Sequence, residues 1–405
     1  MNEPVVLSVF ALVYLGMILG RLPGLSLDRT GVALLGAIAM VVSGQLDLDA
    51  AWSAVDVPTL ALLFGLMVVS AQFRLGGFYT RSTRWLGSWS IPAPGLLAAF
   101  MAGAALLSTV LANDVVCLAA TSVLIETCDR RGLDPVPFLI GLACSANIGS
   151  AATLIGNPQN ILIGEALDIG FASYSVVAAP VALLSLFVAW AILAYSTRGR
   201  WRRESRRVAA EGVPFDLWQT AKAAVVIVAL VLLFLADVGR REVLAIGAAG
   251  LLLLSRRTAS KAALGLVDWQ LLLLFIGLFV VHAGLERTGA AARGVEALRG
   301  AGVDLGDPGW LFASTAVASN VVSNVPAVML LLPVASDSSA GATMALASTL
   351  AGNLLLVGSI ANLIVVDQAE RMGVRISWVE HARVGVPVTL ATLALSAGWL
   401  WIVVW

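Results

Sequence analysis

One stretch of this chain combines polar and helix-breaking residues within a run that is otherwise apolar enough to cross a bilayer. From residue 145 to residue 164 it reads Ser-Ala-Asn-Ile-Gly-Ser-Ala-Ala-Thr-Leu-Ile-Gly-Asn-Pro-Gln-Asn-Ile-Leu-Ile-Gly. In lipid an unsatisfied amide is costly, so a polar, interrupted helix is stable only where protein buries it or where it lines a wet cavity. The break at Gly156-Asn157-Pro158 is typical of the discontinuous helices with which secondary transporters hold a substrate near the midplane.

The second half of the chain carries a matching segment, 352–362, which reads Gly-Asn-Leu-Leu-Leu-Val-Gly-Ser-Ile-Ala-Asn. Two more polar segments, 111–115 and 323–326, interrupt the apolar stretches 92–128 and 308–336. Both flanks of 92–128 are basic, so this stretch crosses the membrane an even number of times. We interpret it as a re-entrant hairpin whose tip ends inside the membrane. Two full crossings joined by a tight external turn are the alternative.

These four segments supply hydroxyls, amides and freed backbone groups, with few formal charges. Half-helix N-termini offer N–H donors and a partial positive charge to an anion, and freed carbonyl and amide oxygens can coordinate Na⁺. The pattern predicts a site for a small anion or oxyanion beside a cation or proton site. The alternative, polar residues that only hold helices together, would suit one motif better than four motifs in two matched pairs. The predicted substrate-binding residues are Asn113, Asn147, Thr153, Gly156, Asn157, Asn160, Ser323, Asn324, Asn353, Gly358, Ser359 and Asn362.

Asp114 has no acidic counterpart in the second half, where Val325 takes its place. An ionisable residue at membrane depth is expensive and is functional by default. We therefore expect Asp114, together with Ser108 and Ser319, to bind the coupling ion. A helix-capping role for the Asp114 carboxylate is the alternative. His282 also lies in a predicted span, where it either carries protons or is a bundle histidine with satisfied hydrogen bonds.

The composition sets the class of protein. Hydrophobic residues make up 59% of the chain and charged residues only 12%, whereas a soluble domain has about 25% charged residues. We expect an all-α polytopic protein of the inner (cytoplasmic) membrane, surrounded by the lipid bilayer. The formal net charge is +0, so no nucleic-acid partner is indicated. The motifs of zinc proteases, serine hydrolases and P-loop enzymes are absent from the sequence, so we predict no enzyme, no catalytic residue and no metal or other cofactor except Na⁺ as a candidate coupling ion.

Ten apolar stretches are long enough to be spans, two of them interrupted. Basic loops at 73–90, 128–133 and 198–207 are expected in the cytoplasm, and loops at 45–56 and 286–307 outside. The predicted spans are 5–20, 30–45, 57–72, 134–170 (interrupted), 174–196, 218–236, 241–255, 267–285, 341–367 (interrupted) and 378–405.

The two halves of the chain repeat one another. Asp56 and Asp268 are separated by 212 residues, and so are Gly65 and Gly277. We predict a first repeat at 1–197, an Arg-rich cytoplasmic linker at 198–216 and a second repeat at 217–405. Each repeat would hold an odd number of crossings and one hairpin, which inverts the second copy. The interrupted helices align through Asn147/Asn353 and Asn160/Asn362 if the second copy lacks four residues.

These motifs resemble those of the ion transporter superfamily, which includes arsenical pump membrane proteins, citrate and dicarboxylate transporters and some Na⁺/H⁺ antiporters. The resemblance is carried by residues 111–116, 146–163, 323–327 and 352–362, and it covers nearly the whole chain. It implies a scaffold domain, a moving transport domain, inverted repeats and elevator-type motion, and homodimers occur among relatives. It also implies substrate contacts, which would be made by Asn113, Gly156, Asn157, Asn324 and Gly358.

The hairpin tips read Ala112-Asn113-Asp114 and Ser323-Asn324-Val325, where the dicarboxylate branch has Ser-Asn-Thr. Both asparagines are kept, but the first serine and both threonines are lost, so the tips look closer to the arsenical-pump and short anion-permease branch. The hypothesis is a secondary active transporter of a small anion or oxyanion, citrate/dicarboxylate-like or arsenite-like, coupled to H⁺ or Na⁺. An arsenite efflux permease, a Na⁺/H⁺ antiporter and a channel are the alternatives. An ATPase subunit on the Arg-rich linker is expected only for an arsenical-pump-like protein.

Overall fold

The computed structural model describes residues 2–20, 27–202, 213–255 and 259–405. Within these ranges the regular structure is helical and no strand is present. Part of the predicted linker, including Arg203, Arg206 and Arg207, lies outside the described residues. The α-helices are α1 (Glu3–Leu19), α2 (Arg29–Val42), α3 (Leu48–Ser53), α4 (Val57–Leu75), α5 (Phe78–Gly87), α6 (Ala93–Ser108), α7 (Asn113–Arg130), α8 (Pro135–Ser150), α9 (Pro158–Ala166), α10 (Phe171–Ser196), α11 (Leu217–Leu235), α12 (Arg241–Leu253), α13 (Ser260–Leu264), α14 (Trp269–Arg287), α15 (Ala290–Gly300), α16 (Pro308–Val322), α17 (Asn324–Leu331), α18 (Ser338–Ala351), α19 (Ile360–Arg371) and α20 (Trp378–Val403).

Each predicted apolar stretch contains a helix, which confirms the all-α polytopic membrane class. The five described helices α4, α10, α11, α14 and α20 are long and apolar enough to cross a membrane on their own. Both interrupted helices are broken where the sequence predicted: α8 and α9 are separated by residues 151–157, and α18 and α19 by residues 352–359. The short helices α3, α5, α13 and α15 lie in segments that were expected to be loops. The inverted orientation of the second repeat stays a prediction.

Aspartate side chains start several of these helices. Asp56 accepts a hydrogen bond from the backbone N–H of Thr59 at the start of α4, and Asp268 accepts one from Leu271 at the start of α14, both at 3.0 Å. The first N–H groups of a helix have no partner within the helix, and losing such a cap costs about 1 kcal/mol. Asp56 and Asp268 therefore mark equivalent helix starts in the two halves, those of α4 and α14.

The helices pack as two bundles, and each bundle takes helices from both halves of the chain. The first bundle consists of α1, α2, α4, α11, α12 and α14, with α4 packed on α12 and α14 packed on α2. The second bundle consists of α6 to α10 and α16 to α20, with α6 on α8, α16 on α18 and α10 on α20. Helix α4 also contacts α7 and α9, and α14 contacts α17. The helix pairs α6–α7 and α16–α17 are called the first and the second hairpin. The first bundle thus contacts both hairpins and one of the broken helices. The re-entrant course of the hairpins stays a prediction.

Two glycines allow helices of the first bundle to approach closely. A Cβ atom on Gly65 would lie 2.6 Å from the backbone carbonyl carbon of Ala245, and one on Gly277 would lie 2.7 Å from that of Ala33. Ala33 and Ala245 are separated by 212 residues, as Gly65 and Gly277 are. The same helix crossing is therefore built twice, with the small residues that membrane helices use for close contact.

We expect Gly65→Ala and Gly277→Ala each to lower the Tm of the purified protein, because the new methyl group would meet backbone atoms. Overpacking of this kind typically costs about 1–3 kcal/mol. Gly247→Ala in α12 is the matched control, since a Cβ atom there meets no heavy atom within 4 Å. It should keep or raise the Tm, because alanine is the better helix former. An equal fall in all three variants would contradict the close crossing.

Candidate functional site

Asn147, in the last turn of α8, lies at the centre of a buried network of polar side chains. Its Oδ1 accepts hydrogen bonds from Asn113 Nδ2 at 3.3 Å and from Ser359 Oγ at 2.9 Å. Its Nδ2 donates to Asn353 Oδ1 at 3.0 Å and to Asn362 Oδ1 at 3.2 Å. All four hydrogen-bonding positions of the amide are used, and none of the five side chains is more than 6% exposed. The structure brings five predicted binding residues together here.

A second network surrounds Thr349, in the last turn of α18. Thr349 Oγ1 accepts from Asn157 Nδ2 and from Gln159 Nε2, both at 3.2 Å, and donates to Asn160 Oδ1 at 3.3 Å. Asn160 Nδ2 donates to the carbonyl oxygen of Thr153 at 3.1 Å, and Thr153 Oγ1 donates to the hairpin carbonyl of Thr109. Asn157, Asn160 and Thr153 were predicted for the site. Thr349 and Gln159 were not.

The two networks are equivalent after a shift of 202 residues along the chain. The predicted alignment of Asn147 with Asn353 through a four-residue gap is therefore wrong, because Asn147 corresponds to Thr349 and no gap is needed. An ungapped alignment of the two broken helices would have revealed Thr349. The equivalent contacts are Asn157–Thr349 with Ser359–Asn147, Asn160–Thr349 with Asn362–Asn147, Asn160–Ser150 with Asn362–Gly352, and Asn160–Thr153 with Asn362–Leu355.

Each break begins a new half-helix with a side-chain cap. Asn157 Oδ1 accepts from the backbone N–H of Asn160 at 2.9 Å, and Ser359 Oγ accepts from that of Ala361 at 3.2 Å. Pro158 is the first residue of α9, a position where its missing N–H is no loss. Since Asn113 is the first residue of α7, the networks lie at the N-termini of α7, α9 and α19. These ends carry partial positive charge.

Two aromatic side chains, which sequence reasoning did not place in the site, bind carbonyl groups that the breaks leave free. Tyr174 OH donates to the carbonyl oxygen of Ala151 at 2.8 Å. His381 Nε2 lies 3.2 Å from the carbonyl oxygen of Asn353. Both come from the first turn of the helix that follows each broken helix, α10 and α20. They satisfy backbone groups that would otherwise be buried without a partner.

The predicted glycines allow backbone segments to touch. A Cβ atom on Gly156 would lie 2.4 Å from the carbonyl oxygen of Ser150 and 2.7 Å from that of Ser108. A Cβ atom on Gly358 would lie 3.0 Å from the carbonyl oxygen of Gly352 and 3.1 Å from Asn320 Oδ1. Both glycines thus pack a break against a hairpin, and Gly156 has less room.

Four of the buried side-chain polar atoms that have no hydrogen-bond partner among the described residues lie at the second hairpin and the second break. They are Oγ of Ser319, Oδ1 of Asn320, Oδ1 of Asn324 and Nδ2 of Asn353. Asn324 Nδ2 lies 3.3 Å from the position that a Cβ atom on Gly352 would take. A buried polar group left unpaired costs about 1–3 kcal/mol, so such atoms call for a ligand or ordered water. Ser108 Oγ, in the first hairpin, is also without a partner.

Ser323 connects α16 to α17 with a strained backbone. Its φ of 78° and ψ of 159° fall in a region that is essentially restricted to glycine and costs about 1–3 kcal/mol. Such strain clusters at ligand clamps and switch regions. Ser323 therefore forms the corner of the second hairpin, next to Asn324.

Asp114 lies beside the networks rather than within them. It is the second residue of α7 and lines a cavity of about 50 Å³ together with Asp268, Asn157, Leu63 and Leu271. The lining residues that the structure describes include no lysine or arginine. The cavity separates the first hairpin and α9 from α4 and α14. Asp114 thus faces the first bundle, away from Asn147.

The chain is similar to a known protein family, to several named transporters and to a solved transporter structure. A family model described as "Citrate transporter" matches residues 12–343 of this chain. A protein named an uncharacterized transporter, from Mycobacterium tuberculosis, is 29% identical over 93% of this chain and 94% of its own length. The silicon efflux transporter of Oryza sativa subsp. japonica is 28% identical over 96% of this chain and 95% of its own length. The crystal structure of the Alcanivorax borkumensis YdaH transporter covers 98% of this chain and 96% of its own, with a TM-score of 0.55 at 14% identity, which shows a shared fold.

Proposed function

Since this chain belongs to the citrate transporter family, it is a multi-pass membrane transporter and not an enzyme, and we propose that it is a secondary active transporter of a small oxyanion or its protonated oxyacid. The observation that carries this proposal is that half-helix N-termini meet both amide networks: those of α7 and α19 meet the network of Asn147, and that of α9 meets the network of Thr349. Backbone N–H groups at helix N-termini and amide N–H groups are the donors that oxyanions need. We further propose that its membrane is the inner (cytoplasmic) membrane.

The lack of cationic side chains in the two networks limits the negative charge that the substrate can carry. The side chains that form the networks are amides, hydroxyls and a phenol, with no lysine or arginine among them, and the imidazole of His381 contacts the backbone of Asn353. A multiply charged tricarboxylate would be buried there without a cationic side chain, which is strongly unfavourable. A small solute with one negative charge or none fits better. The name of the rice relative, a silicon efflux transporter, points in the same direction, towards a small inorganic solute.

The free polar atoms at the second hairpin suit a protonated oxyacid. Asn353 Nδ2 can donate to an oxygen of the solute, while Oδ1 of Asn320 and Oδ1 of Asn324 can only accept. A solute with O–H groups can satisfy both kinds of atom, whereas a fully deprotonated anion leaves the two acceptors unpaired. The arsenite-like substrate is therefore favoured over citrate or a dicarboxylate.

We propose that Asp114 couples transport to H⁺. Its carboxyl group lies at the boundary between the first hairpin and the first bundle, in a mostly apolar cavity. A carboxylate that loses water contact favours its protonated form, so movement of the second bundle against the first would change its affinity for H⁺. Sliding of this kind is elevator-type motion. Na⁺ coupling, a homodimer and an ATPase subunit on the linker stay predictions.

Uptake into proteoliposomes tests this proposal. Labelled arsenite, citrate and succinate are each offered under an imposed H⁺ or Na⁺ gradient, to the wild type, to Asp114→Asn and to Asp49→Asn. Asp49 is an exposed carboxylate on α3 and serves as the matched control. We expect arsenite alone to accumulate, only with an H⁺ gradient, and Asp114→Asn to lose this dependence while Asp49→Asn keeps it.

The other outcomes contradict specific parts of the proposal. Accumulation of citrate would overturn the limit on substrate charge. Equal arsenite flux with and without a gradient would indicate a channel. If no solute accumulates but added Na⁺ collapses a pH gradient, the protein is a Na⁺/H⁺ antiporter.

A further inference from the structure

A chain of hydrogen bonds links the first bundle to the second hairpin through His282 in α14 and Tyr14 in α1. Tyr14 OH lies 2.8 Å from His282 Nε2 and 2.9 Å from the carbonyl oxygen of Pro326 in α17. On the other side of the ring, His282 Nδ1 lies 2.9 Å from the carbonyl oxygen of Leu278. Tyr14 and His282 are 7% and 8% exposed. Three elements therefore meet at one imidazole ring and one phenol.

The number of hydrogens decides which of these contacts can exist together. The carbonyl oxygen of Leu278 only accepts, so Nδ1 of His282 must carry a hydrogen. Tyr14 has one hydroxyl hydrogen, and the carbonyl oxygen of Pro326 also only accepts. If Tyr14 donates to Pro326, then Nε2 must donate to the Tyr14 oxygen, and the ring is doubly protonated. If Nε2 is bare, Tyr14 can donate to His282 or to Pro326, but not fully to both.

We propose that His282 and Tyr14 form a proton-binding site that fastens the second hairpin to the first bundle when a proton is bound and loosens it when the proton leaves. The bound proton completes an unbroken chain from Leu278 through His282 and Tyr14 to Pro326. By thermodynamic linkage, a hairpin that moves away weakens proton binding by the same factor. The site is distinct from Asp114, which lies at the first hairpin. The proton-binding site is argued from these contacts alone, and only its role in transport rests on the proposed function.

No charged side chain contacts the ring of His282 in the described structure. Its hydrogen-bonding chain therefore consists of the Leu278 carbonyl, the Tyr14 hydroxyl and the Pro326 carbonyl. Helix α1 presents Tyr14 to the ring, with Phe10 at a centroid distance of 5.9 Å, while α17 presents the Pro326 carbonyl. Glu286 and Arg287, one turn further along α14, are exposed. Burial works against the charged ring and the hydrogen bonds work for it, so proton occupancy should follow the position of the hairpin. The charged residues of the helices packed on α14 lie at the ends of these helices or at the surface: Glu3 at the start of α1, Asp28 and Arg29 at the start of α2, Asp47 and Asp49 at the start of α3, Asp56 and Arg74 at the ends of α4, and Arg293, Glu296 and Arg299 on α15.

The test is hydrogen exchange of the backbone amides in α17, measured on the full-length protein in nanodiscs from about pH 8 down to about pH 4, a range extended to low pH because burial works against the charged ring of His282. The wild type, Tyr14→Phe and His282→Gln are compared after correction for the intrinsic pH dependence of exchange, with α18 as internal reference. Tyr79→Phe is the matched control, because the Tyr79 hydroxyl is buried without a hydrogen-bond partner in the described structure.

We expect protection of α17 in the wild type and in Tyr79→Phe to rise as the pH falls, within the range of about 5- to 150-fold that coupling between sites usually gives. The rise should be lost in Tyr14→Phe and in His282→Gln. Protection that does not depend on pH in the wild type overturns the proposal, and so does a rise that persists in both variants. This measurement needs no transported solute, so its failure is separate from failure of the uptake experiment.

Discussion

Asn147→Ala should abolish gradient-driven uptake, with a loss of about 100-fold or more. Asn147 joins the first hairpin to the second broken helix through four hydrogen bonds. Removing its amide leaves buried polar groups on Asn113, Asn353, Ser359 and Asn362 without this partner, at about 1–3 kcal/mol for each group left unpaired. A loss of about 3 kcal/mol in the binding free energy of the solute corresponds to roughly a 100-fold loss of affinity. Uptake into proteoliposomes measures the effect, and the Tm in detergent reports the accompanying loss of stability.

Thr121→Val is the matched control for Asn147→Ala. Thr121 is fully buried in α7, but its Oγ1 donates only to the carbonyl oxygen of Cys117 within the same helix, at 2.7 Å. Its replacement removes a buried polar group without separating two elements, so uptake should stay near the wild-type rate. Equal losses in the two variants would mean general damage to the bundle. Wild-type uptake by Asn147→Ala would exclude the network from the transport site.

The broken helices could be predicted because lipid leaves their sequence few alternatives. Gly156, Asn157 and Pro158 within an apolar run cannot continue a lipid-exposed helix, since freed backbone groups need partners inside the protein. The structure supplies these partners, including Tyr174 for the carbonyl of Ala151. The same reasoning located the second break and the helix interruptions next to Asn113 and Asn324, whereas the re-entrant course of the two hairpins stays a prediction.

The partners across the two halves could not be predicted from local pattern. Thr349 is one threonine in an apolar helix and contacts Asn157, which lies 192 residues away in the chain. Such a contact depends on how α18 packs against the first broken helix, which a local sequence pattern does not show. Asp114 was predicted to bind the coupling ion because an ionisable residue at membrane depth is functional by default. The sequence alone did not show which way its side chain points, and successive side chains on a helix point about 100° apart. Asn113 therefore faces Asn147, while Asp114 faces the cavity beside α4 and α14.

Asp114 and His282 make no hydrogen bond within the two amide networks, although Asn157 also lines the cavity of Asp114 and His381 contacts the backbone of Asn353. The amide networks are inside the second bundle, where charge would be most costly. Asp114 and His282 lie where the first bundle meets the first and the second hairpin, respectively. Any sliding of one bundle along the other changes the surroundings of both ionisable groups, while the hydrogen bonds of Asn147 within the second bundle can stay intact. This arrangement would allow proton binding at Asp114 and His282 to control the movement of the second bundle without changing the hydrogen bonds of the substrate site.

Gly156→Ala should be far more damaging than Gly358→Ala, although the two glycines are equivalent after the shift of 202 residues. At position 156 the new Cβ would meet backbone atoms, with the Ser150 carbonyl oxygen at 2.4 Å, so the break itself must shift. At position 358 the nearest atoms lie at 3.0 and 3.1 Å, and one of them is the end of the Asn320 side chain, which can move. We expect Gly156→Ala to lose uptake and to lower the Tm by an amount that reflects at least the usual overpacking cost of about 1–3 kcal/mol.

Gly358→Ala should keep measurable uptake with a smaller fall in Tm, because a side-chain rotation relieves part of the contact. Gly398→Ala in α20 is the control for both, since a Cβ atom there meets nothing within 4 Å. Thermal unfolding and arsenite uptake of the three variants, measured side by side, decide the ranking. A Tm for Gly156→Ala equal to that for Gly398→Ala would show that the first break has room for a side chain, and the close packing of the break on the Ser108 carbonyl would then be wrong.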